Sequence, residues 1–399
     1  MAETTITTQE TRRASFVWRP TDIFWVAGAV LIIIGAWGMW QRLTAGLAPT
    51  PLGSYVPWGL WVSFYDYLVW LEVGSLLLFT VLVYIVRIEA LARLKPVVLF
   101  TGFVVLLMAL LLVLLDLGQA GRFWHVLIYP VFTSMITMMV WLHSLYLLVL
   151  VAELALVLGV GSFSEDRRDG LLKILAYLTL PIGLALILVS GSIFGVVAAR
   201  PLWNTSSLPL MFLVSAIAAG SGLLLLLTVL FWSDKSAAQY KVLVSRLARL
   251  TAWLLLAGIF AAGVIGLSSL YQGGHPMRTE AIMLILTGPF WWSFWIVHVL
   301  LGVFVPVLIL FLRGDQPRWA GAAAVLSVVT FVAVTLNVVI PVLATPELEG
   351  LATAFVHAKL DFNYVPNVVE WLVIAFVIGF GAVVYGLGLR RLSVLEKKS

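Results

Sequence analysis

Residues 54–84 read SYVPWGLWVSFYDYLVWLEVGSLLLFTVLVY. This stretch is long enough to cross a bilayer as one helix, since a hydrocarbon core of about 30 Å needs roughly 20 apolar residues. Asp66 and Glu72 interrupt it. A charged side chain near the bilayer centre costs about 2.5–3.5 kcal/mol on insertion scales, so such residues usually face a bundle interior and mark a pathway. The stretch therefore predicts a membrane-spanning fold with a polar site inside it.

The composition of the whole chain agrees with that fold. Its 399 residues are 62% hydrophobic and 11% charged, with a mean hydropathy of +1.08. A soluble domain of this size needs far more polar surface. Cysteine is absent, which excludes disulfides, thiolate redox chemistry and cysteine-ligated iron–sulfur clusters in this chain. The net charge of +5 gives no sign of nucleic-acid binding, and no nucleic-acid partner is expected.

Ten apolar segments predict an all-α, polytopic membrane protein. None alternates in the manner of a membrane β-strand. We expect a tail over 1–20, a transmembrane domain over 21–389 and a second tail over 390–399. The ten predicted helices span 21–43, 57–86, 96–117, 132–160, 171–198, 208–232, 249–271, 289–312, 318–343 and 365–389.

The distribution of basic residues predicts the orientation. With ten crossings both termini lie on one side, and 19 of the 24 Lys and Arg residues fall on that side. Because cytoplasmic loops carry the excess of Lys and Arg, both termini are predicted to be cytoplasmic.

A weak internal repeat suggests how the helices group. The spacing of Ser54, Pro57 and Ser63 occurs a second time later in the chain. Each copy is followed by a run of Gly, Ser and Leu, which reads GSLLLF in the first copy and GSGLLLLL in the second. Two related four-helix bundles, formed by helices 2–5 and 6–9 and flanked by helices 1 and 10, would produce this pattern. Chance similarity is the alternative. The second copy is Ser206, Pro209 and Ser215.

Helix 4 carries polar residues that extend the series begun by Asp66 and Glu72. At about 100° per residue, His143, Tyr146 and Glu153 fall within roughly 80° of one another on one helical face. The five side chains would form a ladder from the outer third of the membrane to the cytoplasmic side. The alternatives are structural carboxylates, a satisfied interior histidine and, for Glu153, contact with the cytoplasmic head groups.

Two further clusters lie at the outer ends of the helices. DLGQAGRFWH carries Asp116, Arg122 and His125, which together can hydrogen-bond and protonate a carbonyl. A salt bridge between Asp116 and Arg122 that ties the loop is the alternative. The second cluster lies in ARPLWN, and its alternative interpretation is an anchor at the membrane interface. It consists of Arg200, Trp203 and Asn204.

The order of these motifs resembles the polysulfide reductase/NrfD family, the cofactor-free, quinone-reactive membrane subunits of iron–sulfur oxidoreductase complexes. The resemblance covers helices 2 to 10. The ten helices look more like the hydrogenase-2 and sulfite-reduction-associated members than the eight-helix polysulfide reductase subunit. The motifs that carry it are VPWGLW, DLGQAGRFWH, helix 4 ending in Glu153, ARPLWN followed by LPLMFL, and NYVPNVVEW.

The resemblance implies a site for menaquinone or ubiquinone near the outer face, within helices 2–5. Asp66 matches a position where the polysulfide reductase subunit has a quinone-contacting His, and Ser63 matches an Asn. Asp66 with His125 or His143 would donate protons. The expected quinone-binding residues are Trp58, Ser63, Asp66, Asp116, Arg122, His125, Ser134 and His143.

Protons would reach that site from the cytoplasm through Glu72, Tyr146 and Glu153. Tyr146 and Glu153 match a Tyr and a Glu of the hydrogenase-2 subunit. If electrons and protons come from opposite sides, turnover is electrogenic.

The resemblance also implies partners and a location. A ferredoxin-like iron–sulfur subunit would dock on the outer face at Arg200, Trp203 and Asn204, and would relay electrons to or from a catalytic subunit, which often carries molybdopterin. This chain itself is expected to hold no metal, haem or cluster, to contact membrane lipids, and to be inactive alone. Its location would be the cytoplasmic membrane of a prokaryote.

Three alternatives remain open from the sequence. A secondary transporter would need broken helices at the midplane, for which only Pro181 and Pro306 give a hint. A haem-bearing quinol oxidase anchor could use His143 and His298. A passive anchor would tether a complex without touching quinone.

Overall fold

The computed structural model describes residues 22–271, 276–357 and 359–391. Within these ranges it has 10 helices long and apolar enough to cross a membrane, which confirms the predicted all-α, polytopic fold. The predicted tail 1–20 lies outside the described residues, as does the predicted tail 390–399 except for residues 390 and 391, which continue the last helix. The helices are α1 (Asp22–Ala45), α2 (Leu60–Ile85), α3 (Glu89–Asp116), α4 (Met135–Val157), α5 (Glu165–Gly195), α6 (Ser207–Phe231), α7 (Ala238–Tyr271), α8 (Ser293–Arg313), α9 (Pro317–Leu343) and α10 (Val368–Arg391).

The helices group into two four-helix bundles. In the first bundle α2 packs against α3 and α5, and α4 completes the ring between them. In the second bundle α6 packs against α7 and α9, with α8 between those two. The α2–α6 pair joins the bundles, supported by α5–α6 and α2–α9 contacts. The grouping predicted from the repeat is therefore present.

Glycines allow α2 and α6 to cross closely. A Cβ added to Gly74 would lie 1.8 Å from the carbonyl oxygen of Ala216, and one added to Gly220 would lie 2.1 Å from the backbone nitrogen of Ser75. Small residues allow such backbone contact between membrane helices, where van der Waals packing drives association. The Gly-Ser runs of the two repeat copies thus meet at the joint between the bundles.

α1 and α10 pair outside the bundles, and α10 also packs on α3. Gly28 of α1 faces Gly379 of α10, each with room only for a hydrogen. Arg390 donates hydrogen bonds to the buried Asp22 carboxylate, so the start of α1 and the end of α10 share one side. We call this side the terminal face and the other side the opposite face.

The largest boundary difference is at α7, which begins at Ala238 instead of the predicted 249. Leu243 and Val244 are buried whereas Lys241 and Arg246 are exposed, so residues 238–248 form an amphipathic extension of the apolar span. A hydropathy window centred on the membrane misses such an extension because its charged face lowers the mean.

A short helix, Pro276–Leu286, also occupies a segment predicted to be non-helical. Its Ala281 and Ile282 side chains are buried, and it packs against α7 and α9.

Candidate functional site

The interior of the first bundle holds a buried carboxylate near the opposite face. Asp66 on α2 is 2% exposed, and its Oδ1 accepts a 2.9 Å hydrogen bond from the Ser190 hydroxyl on α5. Hydrogen bonds to charged groups are worth about 1.5–3 kcal/mol. Ser190 therefore holds the Asp66 side chain toward α5.

A tyrosine–histidine pair spans from α2 to α4 beside it. The Nδ1 of His143 lies 3.0 Å from the Met139 carbonyl, which can only accept, so Nδ1 carries the proton. The Nε2 atom of the neutral ring is then an acceptor, 3.5 Å from the Tyr65 hydroxyl. Both side chains are buried. Because Tyr65 immediately precedes Asp66 in α2, this pair places a titratable ring at about the same level of the bundle as Asp66.

Glu72 and Tyr146 face each other deeper in the same bundle. Glu72 is 0% exposed and Tyr146 is 1% exposed, and the two side chains interact electrostatically. Among the described residues no hydrogen bond of ordinary length reaches either Glu72 oxygen or the Tyr146 hydroxyl, and the polar side chain that acts on each of the two is the other. Gly102 on α3 and Gly183 on α5 flank the pair, because a Cβ there would lie 3.7 Å from Glu72 and 3.3 Å from Tyr146.

Glu153 lies toward the terminal-face end of α4. It is 5% exposed, and the groups that act on its carboxylate are the Lys95 ammonium on α3 and the Thr179 hydroxyl on α5. The electrostatic interaction with Lys95 gives this carboxylate a cation at the end of the bundle.

These groups form a series along the bundle axis. With a rise of about 1.5 Å per residue, Asp66 lies about 9 Å and Glu72 about 18 Å along α2 from Leu60. On α4, counted from Met135, Tyr146 lies at about 16 Å and Glu153 at about 27 Å. The structure thus brings the five predicted ladder residues into one bundle. Sequence reasoning missed Tyr65 and Ser190, since a lone Tyr or Ser in an apolar helix carries no signal.

A cleft of about 310 Å³ opens at the opposite-face end of the first bundle. Ser192 lines it two residues after the Asp66 partner Ser190, and Met135 lines it directly after the predicted Ser134. Asn204 contributes from the α5–α6 loop. The cleft combines polar and apolar walls within a few residues of the Asp66 site.

Trp58 and Ser63 lie at the start of α2. The Trp58 ring stacks 6.1 Å from the Trp203 ring and meets Phe194 edge-on at 5.5 Å. Ser63 is fully buried and its hydroxyl donates to the Gly59 carbonyl at 3.0 Å. Trp58 therefore belongs to an aromatic cluster, whereas the Ser63 hydroxyl is bonded within its own helix.

The predicted Asp116, Arg122 and His125 cluster is not assembled in the structure. Among the described residues no ion pair joins Asp116 to Arg122, and the cation that acts on Asp116 is Arg42 of α1. Arg42 donates to the carbonyls of Leu115 and Leu117 at 2.5 and 2.7 Å. Arg122 and His125 are exposed. The alternative of an Asp116–Arg122 loop tie is therefore wrong, since α1 supplies the cation.

Arg200 and Trp203 make internal contacts. Arg200 is 4% exposed, donates to the carbonyls of Val342 and Thr345, and forms a 2.9 Å salt bridge with Glu347. Burial lowers the pKa of its guanidinium, and the Glu347 carboxylate opposes this.

The Trp203 indole donates to the Val338 carbonyl at 2.7 Å. Asn204 is exposed, and its amide donates to the Gly195 carbonyl at 2.7 Å. Of this predicted docking set, Asn204 alone offers an exposed side chain, and docking stays a prediction.

The two histidines considered for haem lie apart. His143 contacts Tyr65 in the first bundle, whereas His298 contacts Phe294 and Phe331 in the second. The pair therefore does not face a common site.

Comparison with known protein families identifies the family of this chain. The polysulphide reductase NrfD family model matches residues 51–347, which covers most of the ten helices. The chain belongs to the NrfD family. The resemblance inferred from the ordered motifs is thereby confirmed.

Curated relatives of this NrfD chain are membrane subunits of reductase complexes. A selenate reductase subunit of Mesobacillus selenatarsenatis is 29% identical, covering 94% of this chain and 95% of the relative. An Hdr-like menaquinol oxidoreductase integral membrane subunit of Archaeoglobus fulgidus is 25% identical, with 87% of each chain covered. The menaquinone reductase integral membrane subunit of Nitratidesulfovibrio vulgaris is 22% identical over 93% of this chain and 92% of its own.

The NYVPNVVEW motif of this NrfD chain forms a buried network that sequence reasoning did not assign. Tyr364 donates to Glu370 at 2.7 Å and accepts from the Leu60 amide at 2.7 Å. Burial raises the pKa of the Tyr364 hydroxyl, and the Glu370 carboxylate raises it further. Asn367 and Glu370 each accept the other's backbone amide, which caps α10.

Lys359 holds the loop between α1 and α2 in place. Its ammonium donates to four backbone carbonyls at 2.6 to 3.4 Å, those of Leu47, Ala48, Thr50 and Leu52. The segment that precedes α10 is thus bonded to the segment that precedes α2, at the opposite face. Neither Lys359 nor Glu370 was predicted. The Lys359 partners are backbone carbonyls of a distant segment, whereas the Asn367–Glu370 pair carries the local spacing of a capping box, which could have indicated it.

Proposed function

We propose that this chain is the quinone-reactive membrane subunit of an iron–sulfur reductase complex, with its quinone site at the opposite-face end of the first bundle. The observation that carries the proposal is the series Asp66, Glu72, Tyr146 and Glu153, buried in one bundle and graded along its axis. Ionisable residues inside membrane helices mark proton and substrate paths.

The Asp66 region has the chemistry that a quinone head group needs. Conversion between quinone and quinol moves two protons, and ligand sites combine apolar walls with a few fixed polar groups. Ser190 orients the Asp66 carboxyl, and the Tyr65–His143 pair supplies a second titratable group nearby. Asp66 would exchange one proton with a quinone oxygen, and Trp58 with Phe194 would bound the ring.

Glu72, Tyr146 and Glu153 would carry protons between that site and the terminal face. Glu72 and Tyr146 suit this role because they act on each other without a hydrogen bond of ordinary length, so either side chain can rotate between donor and acceptor. The excess of Lys and Arg on the terminal face makes it the cytoplasmic side. Protons would then enter from the cytoplasm, and both termini would lie there.

Electrons would come from or go to a subunit on the opposite face. The chain has no cysteine to ligate an iron–sulfur cluster. The clusters of the complex would therefore belong to a ferredoxin-like partner, which would itself be bound to a catalytic subunit. The exposed Arg122, His125 and Asn204 side chains lie on that face and would contact the partner. The names of the relatives as subunits of selenate, menaquinol and menaquinone enzymes support such a complex.

The transporter alternative has less support. It calls for broken helices at the midplane. α5 runs without interruption through Pro181. α8 changes from π-helix to α-helix beside Pro306, and α9 has a one-residue interruption at Phe331, whose backbone stays helical, so neither contains an unwound segment. The passive-anchor alternative gives no reason for a fully buried Glu72 that faces Tyr146, another member of the series.

Purification in mild detergent tests the proposal. We expect the chain to copurify with a multi-cluster ferredoxin-like protein and with bound menaquinone or ubiquinone. The Asp66→Asn variant should copurify with the same proteins but lose the quinone-dependent reaction. Recovery of the chain alone, without quinone, would contradict the proposal.

A further inference from the structure

A second interior cavity lies in the second bundle, away from the carboxylates. Its volume is about 440 Å³, and its walls come from α6, α7, α8, α9, the short helix Pro276–Leu286 and the α5–α6 loop. Almost all of the lining is apolar. Small-molecule sites in proteins typically measure about 300–1,000 Å³ and pair such walls with a few polar groups. The cavity has the size and character of a ligand site.

Two polar side chains in its wall lack partners. His298 is 4% and Asn337 is 7% exposed, and both line the cavity. The Nδ1 atom of His298 and the Nδ2 atom of Asn337 have no hydrogen-bond partner within the described residues. An unsatisfied buried polar group costs about 1–3 kcal/mol. Both side chains line the cavity, and either nitrogen would gain a partner if its side chain turned toward a ligand oxygen there.

Their depth matches that of Asp66 in the first bundle. His298 lies five residues inside Ser293 and Asn337 six residues before Leu343, so both lie about 8–9 Å from the opposite-face ends of their helices. Asp66 lies at about 9 Å from Leu60. A phospholipid head group stays at the membrane surface, whereas a ring carbonyl on an isoprenoid chain can reach this depth.

Aromatic side chains suit a flat ring. Phe294 and Trp295 line the cavity on α8, and Trp203 lines it from the α5–α6 loop. Trp203 also packs 6.1 Å from Trp58 and 5.0 Å from Phe194 in ring-centroid distance. The same indole therefore bounds this cavity and the aromatic cluster of the first bundle.

The cavity is accessible from the side of the protein. Leu267, on a membrane-spanning helix, lines the cavity and is 70% exposed. Trp295 lines it from the neighbouring helix and is also exposed. Exposed apolar side chains on a membrane-spanning helix face lipid, so a ligand dissolved in the bilayer can enter between them.

We propose that the second bundle binds a second isoprenoid quinone molecule, with one ring oxygen accepting hydrogen bonds from His298 and Asn337. The choice of quinone as the ligand rests on the function proposed above, whereas the site itself rests on the cavity and its two unbonded side chains. The proposal concerns binding and assigns no redox step to this site.

Photolabelling of the purified complex tests this. The probe is an azido-naphthoquinone with an isoprenoid tail, and labelled peptides are located by mass spectrometry. Gly263→Leu and Gly266→Leu place side chains into the cavity, since a Cβ at either position meets nothing within 4 Å. Gly170→Leu is the matched control, because it has equal room on α5 but lies outside the cavity.

We expect the probe to label peptides of α7 and α8 in the wild type and Gly170→Leu, and labelling there to fall at least tenfold in Gly263→Leu and Gly266→Leu. Asn337→Leu should weaken labelling about tenfold, as expected for one lost hydrogen bond, without lowering the melting temperature. Absence of label on α7 and α8, equal label in the cavity-filling variants, or a phospholipid bound there in native mass spectrometry would overturn the proposal.

The same experiment separates the two sites. Label on α2, α4 or α5 reports the first-bundle site, and that label should persist in Gly263→Leu. Label confined to the first bundle would overturn the second site and leave the proposed function intact. Label confined to the second bundle would support the second site and contradict the first.

Discussion

The Ser190 hydroxyl on α5 donates a 2.9 Å hydrogen bond to the Asp66 carboxylate on α2, inside the first bundle and close to the opposite face. The contact joins two helices at the level where a quinone ring is proposed to bind. It also leaves one Asp66 oxygen free of Ser190, so the carboxyl can exchange a proton with a ligand while it remains held in place.

Asp66→Asn should lower the quinone-dependent turnover of the assembled complex about 100-fold, as expected when a general acid or base is lost. Ser190→Ala should lower it about tenfold, since it removes only the orienting hydrogen bond. The measurement is turnover with a short-chain quinone or quinol, beside the activity of the catalytic subunit with an artificial electron carrier. That second activity should be unchanged, and an equal loss of both would contradict the assignment.

Tyr146→Phe should slow turnover about tenfold with little loss of stability, because no hydrogen bond of ordinary length holds the hydroxyl and Glu72 is the side chain that it acts on. Tyr67→Phe is the matched control, since the Tyr67 hydroxyl donates to the Val328 carbonyl at 2.6 Å and joins α2 to α9. The control should lose roughly 1 kcal/mol of stability and keep its turnover. Turnover and melting temperature are measured on both variants, and the reverse pattern would contradict the proton role of Tyr146.

Gly74→Ala should destabilise the joint between the bundles by roughly 1–3 kcal/mol or more, since its Cβ would lie 1.8 Å from the Ala216 oxygen. Gly170→Ala, on an exposed part of α5, has free space and should be neutral or stabilising. Thermal unfolding in detergent compares the two. Equal melting temperatures would show that the α2–α6 crossing can relax at little cost.

Lys359→Met should loosen residues 47–54, because it removes one ammonium bonded to four carbonyls. Faster hydrogen exchange of that segment is the expected result, with the bundle interior unchanged. Lys235→Met, at an exposed position, is the control. Unchanged exchange in Lys359→Met would mean that other contacts hold the segment.

Helix number, bundle grouping and family followed from the sequence because each rests on local or ordered signals. Apolar length fixes α1 to α10, and the repeated Gly-Ser runs indicate the joint that Gly74 and Gly220 form. Asp66, Glu72 and Glu153 were identifiable because a carboxylate in an apolar helix is rare. The proximity of Glu72 and Tyr146 followed once α2 and α4 were assigned to the same bundle.

Other parts of the site depend on contacts between distant segments, which no local pattern encodes. The cation that interacts electrostatically with Asp116 is Arg42, on another helix, and not the nearby Arg122. Ser190 gains its role only because α5 packs on α2. The second cavity is likewise formed by six separate elements, so from the sequence alone His298 looked like an isolated interior histidine.

Charge movement by the Glu72→Gln complex in proteoliposomes tests the central claim most directly. The complex turns over with quinone while a voltage-sensitive dye reports the membrane potential, with Glu165→Gln, an exposed carboxylate on α5, as the control. We predict that Glu72→Gln loses the potential or slows turnover at least tenfold, whereas Glu165→Gln behaves as the wild type. Full retention of both turnover and potential in Glu72→Gln would contradict a proton path through the first bundle.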